Sequence, residues 1–318
     1  MNPPLPFLGE ILALSSAIFW AIAVILFKRS GESLSPGVLN LVFGTPAQIS
    51  DHLIQQEPVR LVAFTGSTTV GRHLTTLAAQ HMTPVLMELG GHAPVIVCED
   101  TDIQSAAVSS AVRKMRNAGQ VCTSPTRFFA HEDVFDEYAN TFVERASKTK
   151  VGNGFDDGVE MGPLANERRI EALTAMVEDA VSKGAELRTG GKSLPGDGFF
   201  FEPTVLTNVP DNAHVMQEEP FGPLAVINPV SSLDEAIAMA NSVPYGLAAY
   251  GFTNRSDYAD RLAEGLEAGN VSINTLEASL PETPFGGVKS SGYGREGGTE
   301  GLHNYMIVKN VSHSIDIV

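Results

Sequence analysis

Cysteine is nearly absent: the 318 residues hold two, Cys98 and Cys122, in very different surroundings. A disulfide framework is therefore not indicated, and a reducing, cytoplasmic compartment is the natural expectation. Basic residues are also scarce, 21 against 37 acidic ones, for a formal net charge of −16. A surface this acidic repels phosphate backbones, so neither nucleic acid nor an anionic membrane surface is expected as a partner. The eight histidines form no HExxH, and no Cys/His spacing suits zinc, so no metal is expected. Internal repeats and low-complexity segments are missing as well. What is present is an ordinary globular composition, 43% apolar and 18% charged, long enough for one large or two ordinary domains.

Long apolar runs are limited to one. Residues 11–27, ILALSSAIFWAIAVILF, contain no charge, and Lys28 and Arg29 follow at once. Seventeen residues is the short end of the roughly 17–25 that span a bilayer core. The positive charges after the run, and none before it, fit a membrane anchor with the rest of the chain on the cytoplasmic face better than a cleaved secretory signal. A buried core helix is the alternative. The polar, turn-forming stretch 28–36, KRSGESLSP, reads as a linker and sets a domain boundary near residue 36.

Beyond it, short apolar runs alternate with helical patterns. Strands are expected at 60–65, 94–97, 224–228, 248–252 and 270–274, and helices at 70–81, 103–115, 134–148, 167–183, 233–241 and 256–264. Asp102 and Asn166 are suitable N-caps for two of the helices. The alternation implies an α/β fold with a mostly parallel sheet covered on both faces.

Three places carry chemistry. Residues 61–71, LVAFTGSTTVG, run from a strand through a glycine turn into a helix, where free N–H groups with Ser67 and Thr68 suit a phosphate. Only Gly66 and Gly71 stand where a dinucleotide fingerprint has three glycines, so an ordinary capped turn explains these residues at least as well. Cys122, in NAGQVCTSPTR, sits among small and polar residues, a setting for a reactive thiolate; Cys98 ends the apolar run PVIVC and reads as an inert core residue. A cysteine that attacks a carbonyl needs a base to release the acyl product, and no histidine neighbours it. Glu88, after the apolar Val85–Met87 and before Gly90-Gly91, would be partly buried, which raises a carboxyl pKa toward neutrality. A strand-end carboxylate without a catalytic role fits the same residues.

In order along the chain, FTGSTTVG, MELGGHAPVIV, RNAGQVCTSPTRF, MGPL, EEPFGPLAV, NSVPYGLAAY, GNVSIN and PFGGVKSSGYGREGG together resemble the aldehyde dehydrogenase superfamily over about 280 residues. The RNAGQVC and GGHAP variants are similar to its succinate-semialdehyde and α-ketoglutarate-semialdehyde dehydrogenases. The resemblance implies NAD(P)-dependent oxidation of a small carboxylated aldehyde. Cys122 would be the nucleophile and Glu88 the base that activates water. Gly66, Ser67 and Gly71 would lie on the pyrophosphate turn, with Leu89 and Phe221 beside the nicotinamide and Glu219 on its ribose. Arg116, six residues before Cys122, would bind the substrate carboxylate; a solvated helix-end arginine is the alternative. The implied fold is an incomplete Rossmann-type cofactor domain with a complete α/β catalytic domain: 37–90 cofactor-binding, 91–285 catalytic, and 286–318 returning to the cofactor domain as an oligomerisation tail, so a homo-oligomer is expected.

The resemblance leaves the family's first cofactor strands, its adenosine-ribose lysine and its oxyanion-hole asparagine without counterparts before Gly37. Residues 1–36 instead resemble the first membrane helix of EamA-type drug/metabolite transporters. A fused or truncated gene is therefore expected, and the choice between NAD and NADP is not encoded in the part that is here. The alternative to a working enzyme is an impaired or inactive fragment held at a membrane.

Overall fold

The computed structural model describes residues 40–315. The chain divides into two compact units, Met1–Leu53 and Ile54–Val318. In the first, the described residues are an exposed coil and all but the last residue of helix α1 (Pro46–Ile54). The apolar stretch 11–27 and the transporter-like segment lie outside the described residues. Among the described residues no helix is long and apolar enough to cross a membrane.

The second unit is built on two sheets. Its strands and helices run β1 (Val62–Thr65), α2 (Thr68–Ala79), β2 (Val85–Glu88), β3 (Ala93–Val97), α3 (Ile103–Met115), β4 (Pro125–His131), α4 (Glu132–Ser147), α5 (Glu167–Ser182), β5 (Glu186–Thr189), β6 (Thr204–Thr207), α6 (His214–Gln217), β7 (Leu224–Val230), α7 (Leu233–Asn241), β8 (Ala248–Phe252), α8 (Ser256–Gly265), β9 (Asn270–Ile273), β10 (Gly292–Tyr293) and α9 (Glu300–His303). The large sheet has the order β5-β6-β7-β4-β3-β8-β9, and the small one β1-β2-β10. Every pairing is parallel except β5 with β6 and β10 with β2. The expected parallel sheet is thus present, but both sheets are mixed, each with one antiparallel edge strand.

Burial explains the order. β3, β6 and β8 are buried at every position. Side chains alternate between the two faces of a strand, so complete burial means that both faces are covered. Helix starts follow local chemistry: Asp102 accepts from Ser105 N–H at 3.0 Å and holds the start of α3. Asn166 corrects the expectation made for it. It precedes α5 but makes no side-chain cap, and its buried Oδ1 has no partner.

Candidate active site

The two sheets are joined by the short link Leu89–His92, between β2 and β3. Glu88 ends β2 and is 4% exposed, yet neither carboxylate oxygen has a hydrogen-bond partner. Burial pushes its carboxyl up to about 7, with Glu296 adding to the rise and Arg295 opposing it. The segment after β9 clamps this strand end. Leu89 N–H donates to Ser291 O at 3.0 Å, and Ser291 Oγ donates to Gly90 O at 2.7 Å. Gly292 has φ of 117°, and a Cβ there would stand 1.8 Å from Met87 O, so only glycine lets β10 approach β2.

Cys122 sits on the loop between α3 and β4. Asn117, Ala118 and Gly119 all have left-handed backbone, with φ of 52°, 52° and 68°. Asparagine and glycine adopt this readily; a buried alanine does so only when its surroundings enforce it. Gln120 is the brace, bonded to Asn117 O and Pro163 O through Nε2 and accepting from Ala165 N–H at 2.8 Å. Behind the loop, the Tyr250 hydroxyl donates to Thr123 O at 2.7 Å, and Lys114 Nζ donates to Ser124 Oγ at 3.3 Å.

Glycines bring these parts together. A Cβ on Gly91 would lie 2.4 Å from Cys122 O, and one on Gly90 would lie 2.6 Å from Glu219 Oε2. Glu219 accepts from Gly91 N–H and is flanked by Lys114 and Arg169; burial nonetheless pushes its carboxyl up to about 7. Burial lowers Lys114 to about 7, with Glu219 opposing, so each of the pair favours the charged form of the other. The Cys122 thiol is pushed up by burial first, then by Glu219 and Glu88; the N–H groups of Thr123 and of Cys122 itself oppose this. Both carboxylates therefore act on this one thiol. Cys98 shows the contrast: buried at the end of β3, its thiol is raised to about 12.

The remaining expected positions divide. Ser67 caps α2, with its Oγ accepting from Val70 N–H at 3.4 Å, which leaves the N–H groups of Thr68 and Thr69 at the open helix end. Gly66 and Gly71 serve packing: a Cβ on Gly66 would strike the Phe64 ring at 2.4 Å, and one on Gly71 would strike Leu89 Cδ2 at 2.4 Å. Gly66 is thus no left-handed turn residue. Phe221 is half-buried with a left-handed backbone, φ 41°. Arg116 is exposed and lines a cavity of about 780 Å³ whose walls include neither Cys122 nor Glu88. A second cavity, about 440 Å³, is lined by Thr68, Arg72, Leu89, Lys289, Ser290 and Tyr293 among others. Sequence reasoning missed Lys114, Tyr250 and Ser291.

A half-buried thiol under the influence of two buried carboxylates, where a small mixed sheet meets a large mixed one, defines an α/β protein with a cysteine-centred site. The chain belongs to the aldehyde dehydrogenase family, whose profile matches residues 14–311. That match begins inside the apolar run, so the transporter resemblance gains no support. The chain is 45% identical over 278 residues to a putative 4-(hydroxymethyl)benzenesulfonate dehydrogenase of Comamonas testosteroni, covering 87% of this chain and 58% of that protein. Among solved structures it is similar to succinate-semialdehyde dehydrogenase from Burkholderia pseudomallei, with TM-score 0.86 and 43% identity over 90% of this chain and 59% of that one. Betaine aldehyde dehydrogenase from Staphylococcus aureus, solved in complex with NAD+, superposes with TM-score 0.85 at 35% identity, covering 90% of this chain and 57% of that one. The chain thus spans under two thirds of the length of these relatives.

Proposed function

We propose that this chain oxidises a small aldehyde with a distal anion to the carboxylic acid, with NAD or NADP as hydride acceptor. The observation that carries the reading is the pairing of Cys122 with Glu88, a carboxylate kept dry, free of partners and half-ionised near neutrality.

The Cys122 thiol gives up its proton to solvent, the thiolate attacks the aldehyde carbon, and the carbonyl electron pair moves to oxygen, giving a thiohemiacetal oxyanion whose pair re-forms the carbonyl as hydride leaves. The backbone N–H of Cys122 would donate to that oxygen. A bound nicotinamide supplies the acceptor for the hydride that leaves this carbon. The product on Cys122 is a thioester. Glu88 takes a proton from water as it adds to the acyl carbon, and the Cys122 thiolate departs to leave the acid.

The residues fit the dinucleotide. The open N-terminus of α2 presents N–H groups of the kind that hold phosphate, Arg72 stands in its second turn and lines the adjoining cavity, and Glu219 approaches Gly90 only because no Cβ intervenes. Glu219 would hold ribose hydroxyls, and Leu89 and Phe221 would flank the ring. The Arg116 guanidinium has no hydrogen bond or ion pair with a described residue, and its fork suits a carboxylate or sulfonate. The semialdehyde and sulfonate relatives are consistent with such an anion.

The test is the rate of NAD(P)H formation with succinate semialdehyde, wild type against Cys122→Ala. Cys122→Ala is expected to abolish turnover without lowering the melting temperature. Turnover that persists in the alanine variant would overturn the reading.

A further inference from the structure

Three guanidinium groups line the cavity of about 780 Å³: Arg113, Arg116 and Arg145. Two carboxylates line it as well, Glu160 and Glu277. Arg145 is held firmly, by Glu160 Oε1 at 2.5 Å and by Thr149 Oγ1 at 3.2 Å. Glu160 also accepts from Lys150 N–H at 3.3 Å, so that pair is fixed at both ends. Arg113 is different. Its only partner among the described residues is Glu277, at 3.3 Å, and the Glu277 side chain is 65% exposed while that of Arg113 is 16% exposed. The pair is thus largely buried at its Arg113 end and open to solvent at its Glu277 end. The walls therefore carry one uncompensated positive charge, at Arg116.

The Tyr250 hydroxyl, bonded to Thr123 O beside Cys122, is acted on by Arg113 and Glu277 on one hand and by Cys122 on the other.

We propose that Glu277 sets the charge selectivity of this cavity: by occupying Arg113 it leaves Arg116 as the single free guanidinium, so the cavity takes a ligand whose distal end carries one negative charge and discriminates against two. This rests on the reading of Arg116 as the anion-binding residue. Removing the Glu277 charge frees Arg113, which lines the same cavity as Arg116, and two guanidinium forks can then meet one doubly charged group.

The probes are propane-1-sulfonate and propylphosphonate, similar in shape, compared in alkaline buffer where the phosphonate is doubly charged. Binding is read by calorimetric or ligand-observed NMR titration, which needs neither turnover nor cofactor. Wild type is expected to bind the phosphonate no more tightly than the sulfonate. In Glu277→Gln the phosphonate is expected to gain about tenfold over the sulfonate, which is about 1.4 kcal/mol. Adding Arg113→Met to that variant should return the ratio to wild type. Arg113→Met alone leaves Glu277 uncompensated, and both probes should weaken, the phosphonate more. An unchanged ratio in Glu277→Gln, or a ratio indifferent to Arg113→Met in the single variant, overturns the proposal. Arg116→Ala separates the two readings: sulfonate binding that survives it defeats the anion role of Arg116, whereas binding lost there with no ratio change in Glu277→Gln defeats the role of Glu277 alone.

Discussion

The two sheets of the second unit hold opposite ends of the candidate site and are held together in different ways. The large sheet is stiff by packing: β3, β6 and β8 have no exposed position, and one continuous core surrounds them. The small sheet has a core of five buried residues, Ile54, Leu74, Ala78, Met87 and Leu89, and β1 alternates half-buried with exposed. Its strand β2 is fixed by hydrogen bonds and glycine contacts from 291–292 instead. Cys122 belongs to the stiff side and Glu88 to the soft one. A nucleophile gains from rigid placement, whereas a base that must reach water after an acyl group has formed gains from a support that can yield.

The largest effect that sharpens this contrast comes at Glu88. Glu88→Gln is expected to slow turnover about 10²–10⁴-fold while leaving the first acylation of Cys122 visible as a burst of NAD(P)H. In wild type, hydrolysis of the acyl product should rise as pH passes through about 7, and the variant should lose that rise. Stability follows the same group. Its folded pKa lies above the usual 4.5, so the folded state holds the proton more tightly than the unfolded one, and stability falls as pH climbs from 4.5 to about 7. Glu88→Gln should therefore melt above wild type in mildly alkaline buffer and match it in acid. A variant with an unchanged pH profile would remove Glu88 from the chemistry.

On the stiff side, Arg127 is the place to break the comparison. It is fully buried on β4 without a carboxylate, donating to His92 O, Met239 O and Ala240 O at 2.9–3.2 Å. It thereby ties the end of the Leu89–His92 link to the C-terminus of α7. Arg127→Met strands these carbonyls in the interior, and the expected loss is about 3–5 kcal/mol, read from the urea midpoint. A loss under about 1 kcal/mol would mean the large sheet is not stiffened in this way.

The same contrast governs what the sequence disclosed. Helices α3 and α7 and strand β8 stand at the expected bounds, 103–115, 233–241 and 248–252, because capping residues and unbroken apolar runs declare them locally. β4 escaped notice because Pro125 opens it and the buried Arg127 interrupts its apolar run. β5 and β6 are four residues each and largely polar, below the length at which a period of two can be read. The neighbours of Cys122 and Glu88 suggested a reactive thiol and a buried carboxylate, and both side chains are at least half-buried. Their supports were not legible in the sequence: Arg113 and Glu277 are 164 residues apart, and Tyr250 meets Thr123 across 127. A polar contact over such separations leaves no periodicity in the chain. The membrane span expected over 11–27 lies outside the described residues.

Two glycines provide the smallest and most direct comparison. Gly71 lies in α2 on the soft side, and a Cβ there would meet Leu89 Cδ2 at 2.4 Å, the far end of a flexible side chain. Alanine also favours a helix over glycine by about 1 kcal/mol. The overpacking and the propensity gain nearly offset each other, so Gly71→Ala should change stability by less than about 1 kcal/mol. Gly119 lies in the turn before Cys122, with φ of 68°, and a Cβ there would stand 2.1 Å from Gly222 O. Backbone cannot swing aside as a leucine methyl can, and alanine in the left-handed region adds its own strain of about 1–2 kcal/mol. Gly119→Ala should therefore destabilise several times more than Gly71→Ala in matched urea titrations. Equal losses would show that the turn carrying Cys122 yields as easily as the helix packed on Leu89, and the division into a stiff and a soft side would not hold.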